Sequence, residues 1–534
     1  MHDFFSRFRK GGIRFDSTQV AFIAILFVGA FLRMYEFHDW LRFNPDQARD
    51  AIVAFDMTTG KIPLLGPVAG GTEFRLGTVT HYFSFLSGTL FGFSPSALAY
   101  PDLFFSILFL PLLFLLVSRM FGTRIALSVM LLAALSGYMV RYGRFAWNPN
   151  SMPFFTTLFF LSAHSLLFSE GRKKLLWAAL FGISIGIGVQ LHTFLLVLLP
   201  ILALFVFVFL FLQKKLSVLV AVISLSCAIF LNIPQIISEV QTKGMNTNAF
   251  FNGVGNRTES TRTVSERVGR DALCHVRSNA FILTSLGHSD NCNRFIALMK
   301  RKFPMTHPLD IVHAILEIVF TVGGIFLLGF FAWKETRLEK RFLFVGVLVF
   351  MVALFLLIIP VSNEIAMRYF LASAFVPFVL LGAWGKFLFE RGRWGIATFV
   401  LFVSLLLFLN ALFLKKEAAL FASGRVSDAD MAILGETEPL AEFLSRHTPS
   451  QGTAHLIGMR SYRKRFHKAL AYPLHLEGKK LLRFEKKGMP EKSGPVFLIR
   501  KKTKSYDAMS EIDGMPILDR KTSGRVSVFL LRRE

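Results

Sequence analysis

The chain is 534 residues long and 53% hydrophobic, with 61 Phe against 9 Tyr and a mean hydropathy of +0.52, well above the usage of soluble domains. Apolar runs of about 17–22 residues recur along it, the length that crosses a bilayer, so the composition excludes a cytosolic enzyme and a nucleic-acid regulator and fits an integral membrane protein. The formal net charge of +25 would otherwise suggest an anionic partner, but much of the Lys and Arg sits in short clusters between apolar runs, where topology accounts for it.

The first run, 18–37, follows Arg7, Arg9, Lys10 and Arg14 and has no small-residue cleavage site. It reads as a retained helix that starts in the cytoplasm. In the loop that follows, 38–96, residues 46–59 place Ala48, Ile52, Phe55 and Met57 against Asp46, Arg49, Asp50 and Asp56, which predicts an amphipathic helix lying on a surface. The stretch 79–93 is apolar but short and interrupted by Gly and Ser, so it is read as re-entrant or interfacial. Calling it a span would invert every later loop and put the basic clusters outside.

Further apolar runs lie at 97–118, 125–140, 151–169, 175–190, 193–212, 216–236, 309–332, 342–360, 369–385 and 395–414, giving about 11 spans. Alternating from an inside N-terminus, the cytoplasmic turns hold Arg119 and Arg124, then Arg172, Lys173 and Lys174, then Lys214 and Lys215. Lys334, Arg337, Lys340 and Arg341 follow, and then Lys386, Arg391 and Arg393. The basic bias agrees at each turn. A multi-pass protein of the inner (cytoplasmic) membrane is expected, with a large external loop at 237–308 and a domain beginning at 415 on the same outer side.

That tail, 415–534, predicts a short helix at 438–447 and apolar β-like runs at 453–459, 495–500 and 525–531, a small α/β domain. Its basic excess suits either anionic headgroups or an ordinary solvated surface. Cys274 and Cys292 share the large external loop, where a disulfide can form. His275, His288 and Asp290 nearby also suggest zinc, although their spacing matches no strong zinc signature.

Ionisable and polar groups at the ends of apolar helices are costly unless they face a cavity or a partner. They gather on the outer side: Asp46, Gln47, Arg49 and Asp50; Arg141, Arg144, Asn148 and Asn150; Gln190 and His192; and Asn363, Glu364 and Arg368. The cytoplasmic turns show plain basic clusters. A carboxylate with several arginines at a membrane surface suits a lipid-linked phosphate substrate. Sugar transfer from a polyprenyl phosphate needs a base for the acceptor hydroxyl and cations for the leaving phosphate, and Arg suits the second task because its planar fork binds phosphate bidentately.

Four segments carry a resemblance. NPDQARD at 44–50 with GKIPLLGP at 60–67, RYGRFAWNPNSMPFF at 141–155, QLHT at 190–193, and Arg368-Tyr369-Phe370 with Pro377 occur in the order seen in bacterial GT-C glycosyltransferases. The chain resembles those of the protein O-mannosyltransferase and aminoarabinose-transferase type over roughly residues 15–385. The resemblance implies a GT-C-like, α-helical polytopic fold and an inverting transferase on the outer membrane face. Its donor would be a polyprenyl-phosphate sugar and its acceptor a glycan, lipid or protein, with no nucleic acid as partner.

Asp46 takes the role of general base by this resemblance. Arg141, Arg144 and Arg368 are candidates for the donor phosphate, and Gln47, Asn148, His192, Glu364 and Tyr369 for the substrate. Relatives often carry Asp-Glu where this chain has Asp46-Gln47, and an acid near the fourth span where it has Asn148 and Asn150. Both departures remove negative charge, so neither metal nor other cofactor is expected. The alternatives are a lipid-linked saccharide transporter, which needs mid-membrane charge pairs and matched halves, a polymerase or ligase using a lipid diphosphate, and a relative that has lost activity.

Overall fold

The computed structural model describes residues 16–70, 72–258, 262–286, 308–423, 432–484, 494–503 and 509–532. The basic residues ahead of the first helix, Cys292, His288 and Asp290 lie outside them, and the side chains of Asn363 and Glu364 are likewise not described. Among the described residues eighteen α-helices follow in order: α1 Ser17–Met34, α2 Pro45–Asp56, α3 Val79–Phe91, α4 Pro95–Phe121, α5 Thr123–Leu135, α6 Gly137–Tyr142, α7 Met152–Phe168, α8 Gly171–Leu191 and α9 Thr193–Leu212. Then come α10 Val218–Gln241, α11 Met245–Thr258, α12 Val264–Thr284, α13 Pro308–Lys334, α14 Leu338–Ile358, α15 Val376–Phe389, α16 Gly392–Ala422, α17 Leu434–Arg446 and α18 Arg460–Leu476.

Among the described residues, nine helices are long and apolar enough to cross a membrane, and a tenth arises if the bent pair Met367–Ser373 and Val376–Phe389 counts as one span. Ten of the eleven predicted runs fall on these helices and the bent pair, and the run at 125–140 falls on the 13-residue α5 and on α6, neither of which meets the length of a span. α3 is a separate 13-residue helix, too short to span, as its Gly and Ser interruptions imply. α2 forms where the amphipathic spacing placed it.

The bundle closes through small residues and buried polar ties. α1 crosses α4 and α5 at Gly29, where an added Cβ would lie 2.5 Å from Leu110. Arg33, fully buried one turn later, donates to Ser106 Oγ at 2.8 Å and to the carbonyls of Ala133 and Ala134. Those carbonyls belong to the last turn of α5, where backbone oxygens lack intrahelical partners, so the guanidinium completes the helix end.

The tail adds β1 Thr453–Gly458, β2 Lys480–Arg483, β3 Val496–Lys501, β4 Glu511–Ile512, β5 Met515–Ser523 and β6 Val526–Leu531. They form one sheet in the order β2-β1-β3-β6-β5-β4, parallel between β1 and its two neighbours and antiparallel beyond β3. α16 runs on to Ala422, beyond the apolar run that ends at 414, and carries Lys415, Lys416 and Glu417 within it. α18, whose basic face obscures its apolar stripe, is the helix that docks the tail onto the bundle. Its Tyr472 Oη donates to the Phe93 carbonyl at 2.6 Å, and His475 Nε2 meets Asp56 at 3.0 Å.

In the large loop, Thr263 and Glu266 form a capping box that starts α12. Cys274 on this helix is disulfide-bonded, whereas Cys227 is free.

Candidate active site

Asn44-Pro45 fixes the start of α2. Pro45 occupies the first turn, Asn44 is in extended backbone, and the Gln47 side chain accepts from the Asn44 N–H at 3.1 Å to complete a capping box. Asp46 therefore sits in the first turn, where the positive end of the helix favours a carboxylate. Its side chain is 62% exposed.

Arg49, one turn on, joins the two carboxylates of this face. Its Nη1 donates to Asp46 Oδ1 at 3.1 Å, while Nε and Nη2 hold Asp50 in a fork at 2.8 and 3.0 Å. His81 of α3 approaches the same Asp50 Oδ1 at 3.3 Å. Burial alone would push the Asp50 carboxyl up, but the His81 and Arg49 bonds and their charges outweigh it and hold it below the ordinary carboxylate value. Burial likewise works against the Arg49 cation, and the two carboxylates more than offset it, so the guanidinium is held above its usual value. Asp50 is thus a fixed anchor. Asp46 takes the remaining nitrogen, Nη1, and presents most of its surface outward.

Asp46 and Arg49 line a cavity of about 500 Å³ together with Trp147, Asn148, His192, Arg368 and Tyr369. Arg368 is exposed. Among the described residues it has no carboxylate or hydrogen-bond partner, only the face of Tyr369 at 5.5 Å. His192 caps α9 by accepting from the Phe194 N–H at 3.2 Å, and its ring lies 5.4 Å from that of Tyr369. Asn148 Nδ2 donates to the Leu191 carbonyl at 2.7 Å. Behind the cavity lining, Gln190 accepts from the Val79 N–H at 3.1 Å and donates to the carbonyls of Gly186 and Leu231, fixing the start of α3. Gly77 is required there: an added Cβ would lie 2.2 Å from Gln190.

Asp46, Asn148, His192, Arg368 and Tyr369 are brought together. Three other predicted residues are not. Gln47 is spent on the helix cap and is 5% exposed. Arg141 donates to Glu417 Oε1 at 3.0 Å through Nε and also through Nη2, and stacks on Phe413. Arg144 donates to the carbonyls of Leu32, Tyr35 and Glu36 at 2.8, 2.6 and 3.0 Å. These two guanidiniums bond a buried carboxylate and a helix C-terminus, groups that need donors, and neither lines the cavity that holds Asp46 and Arg368. Glu364 lies outside the described side chains.

The sequence reading missed Asp102. It is 8% exposed within α4, where a carboxylate amid apolar residues is itself the signal. Its Oδ2 accepts from the Trp147 N–H at 3.0 Å and its Oδ1 from Ser151 Oγ at 2.7 Å. Asn150 Nδ2 donates to the Phe145 carbonyl at 2.6 Å. Together these bonds set the Trp147–Pro149 wall of the cavity. Among the described residues, no three His, Cys, Asp or Glu side chains converge as metal ligands do.

Residues 77–234 match the family model for dolichyl-phosphate-mannose-protein mannosyltransferase, a match that spans less than half of the chain. The oligosaccharyltransferase of Archaeoglobus fulgidus, in a crystal structure with Zn and sulfate, aligns over 86% of this chain and 62% of its own at 15% identity and a TM-score of 0.52. The likeness is one of fold: the chain shares the fold of this archaeal oligosaccharyltransferase. The same archaeal enzyme, AglB, in complex with an inhibitory peptide and a dolichol-phosphate, aligns over 86% of this chain and 63% of its own at 14% identity and a TM-score of 0.50. This chain therefore spans under two thirds of the archaeal enzyme's length. ArnT from Cupriavidus metallidurans bound to undecaprenyl phosphate aligns over 96% of this chain and 97% of its own, at 14% identity and a TM-score of 0.49. No curated protein matches the sequence.

Proposed function

We propose that the protein transfers one sugar from a polyprenyl-phosphate donor to a hydroxyl of a glycan, lipid or protein acceptor, at the outer face of the cytoplasmic membrane. The observation that carries this reading is the pairing, in one cavity, of the exposed Asp46 carboxylate with the uncommitted Arg368 guanidinium. The family description names a dolichyl-phosphate sugar, and AglB is described with a dolichol-phosphate; both accord with a lipid-phosphate donor. The basic clusters at the opposite ends of the spans support an outer-side position for the cavity.

In this mechanism the Asp46 carboxylate takes the proton of the acceptor hydroxyl as its oxygen attacks the anomeric carbon. The bond from that carbon to the phosphate oxygen breaks, and the phosphate leaves with the electron pair. A single in-line displacement inverts the anomeric centre. Arg368 takes the phosphate charge, in place of Arg141 and Arg144, and charge-assisted contacts of this kind are stronger in a water-poor site. Arg49 keeps Asp46 oriented through the bond at 3.1 Å. His192, Asn148 and Tyr369 bind the sugar or the acceptor. Every step uses side chains of this chain and needs no metal.

The test is a panel of polyprenyl-phosphate sugars presented to the purified protein in lipid, with wild type and Arg368→Ala compared for donor binding. Turnover of one donor, with weakened binding in the variant, is expected. Turnover of lipid-diphosphate glycans alone would refute the donor class.

A further inference from the structure

A second cavity, of about 340 Å³, lies where the C-terminal end of α1 meets the last turns of α16. It is at the same end of the bundle as the first, since Arg144 on its wall precedes Trp147 on the other by one short turn. One side is aromatic: Phe31 packs on Tyr35 at 5.5 Å, Tyr35 on Trp40 at 5.4 Å, and Trp40 on Phe421 at 5.5 Å. That row continues onto the exposed apolar flanks of α1 and α16, both helices long and apolar enough to cross a membrane. Phe31 is 52% and Tyr35 48% exposed on α1, and Phe408 is 58% exposed on α16. Tyr and Trp at a span's end mark headgroup depth.

The polar side is cationic. Arg144 stacks over Trp40 at 5.7 Å while bonded to the α1 carbonyls, so its charge is fixed in place. Lys415 lines the same cavity, is exposed, and has no partner among the described residues. Glu417 is the one acid on the wall, and its Oε1 already accepts from both Arg42 and Arg141. The free charge facing the cavity is therefore positive, above an apolar wall open to acyl chains.

We propose that this cavity is a binding site for a bilayer phospholipid with an anionic headgroup, its phosphodiester against Lys415 and Arg144 and its chains along Phe31 and Tyr35. The occupant is a phospholipid rather than a free phosphate because the aromatic row runs straight into the lipid-facing flanks of α1 and α16, where phospholipid is the surrounding medium. The site is separate from the transfer cavity and does not depend on that reaction being correctly assigned.

The experiment is native mass spectrometry of the full-length protein, released from micelles doped with phosphatidylglycerol or with phosphatidylcholine. One tightly retained phosphatidylglycerol per protein is expected, with phosphatidylcholine retained about tenfold less. Lys415→Gln lowers that retention by about fivefold, the effect of one basic residue at an anionic headgroup, and Lys415→Arg restores it. Lys416→Gln, exposed but outside the cavity, leaves it unchanged. Equal retention of the two lipids overturns the proposal, as does equal loss in Lys415→Gln and Lys416→Gln. Displacement of the phospholipid by undecaprenyl phosphate at a matched mole fraction overturns the assignment to a two-chain lipid. Loss of sugar transfer in any of these variants leaves the lipid readout intact, so the two readings fail separately.

Discussion

Asp102→Ala tests whether a buried carboxylate remote from the reacting atoms shapes the candidate site. The carboxylate accepts the Trp147 N–H at 3.0 Å and the Ser151 hydroxyl at 2.7 Å, and it is 8% exposed, so water does not readily replace it. Each buried donor left unmade costs about 1–3 kcal/mol. The Ser151 hydroxyl can rotate to another acceptor, which leaves the Trp147 amide as the main loss and about 2–3 kcal/mol in total. The Trp147 segment relieves that cost by shifting, and Trp147 lines the cavity. The assay is kcat/KM for sugar transfer in a double-mutant cycle with Trp147→Ala. Asp102→Ala is expected to lower kcat/KM by about 30-fold or more, with Asp102→Asn, which keeps one acceptor, falling between. Because Asp102 acts through Trp147, the double variant should lose little beyond the worse single variant. Wild-type turnover in Asp102→Ala, or full additivity with Trp147→Ala, would refute the reasoning.

Three further outcomes follow from the structure. Arg368→Gln should raise the donor Kd by about 10- to 100-fold, the worth of one charge-assisted contact, whereas Arg141→Gln should leave it within about twofold and lower the thermal midpoint by exposing Glu417 to a single remaining guanidinium; equal effects on donor binding would restore Arg141 to the site. Asp271 on α12 is fully buried, and burial pushes its carboxyl up to about 8, while the unfolded carboxyl ionises near about 4. Between those values the folded state holds a proton that the unfolded state releases, so wild-type stability falls as pH rises. The Asp271→Asn variant should then melt above wild type at pH near about 8 and converge with it near about 4; a wild-type advantage at the higher pH would show that the carboxylate is stabilised as an ion. Tyr472→Phe removes one bond to the Phe93 carbonyl and about 1 kcal/mol of docking, which limited proteolysis of the tail should register as faster cleavage; an unchanged rate would mean that the docking rests on α18 packing alone.

The bundle was legible because bilayer thickness fixes run length and because basic residues mark alternate turns, so the runs from 18–37 to 395–414 find their helices. α2 was legible from Asn44-Pro45 and its amphipathic spacing. The cavity was legible only in part. Hydropathy places Arg141, Arg144 and Arg368 at one end of the bundle but does not distinguish a guanidinium that faces a cavity from one that completes a helix end. Arg144 finds the carbonyls of α1, Arg141 finds Glu417 from the far end of the chain, and Arg368 finds neither. Asp102 was passed over because its partners, Trp147 and Ser151, come from a different element. α18 escaped because Arg460, Arg463, Lys464, Arg465 and Lys468 crowd its first half and read as surface, although Phe466, Leu470 and Leu474 are buried.

The central claim is that Asp46 is the base, and the most direct measurement compares wild type with Asp46→Asn for donor binding and for single-turnover transfer in the same lipid preparation. Asn keeps the shape and an oxygen that can accept from Arg49, but it takes no proton. The account predicts wild-type donor affinity with transfer reduced by about 10²–10⁴-fold, the usual worth of a general base. Transfer at the wild-type rate with donor bound would contradict it and move the base to another group in the cavity.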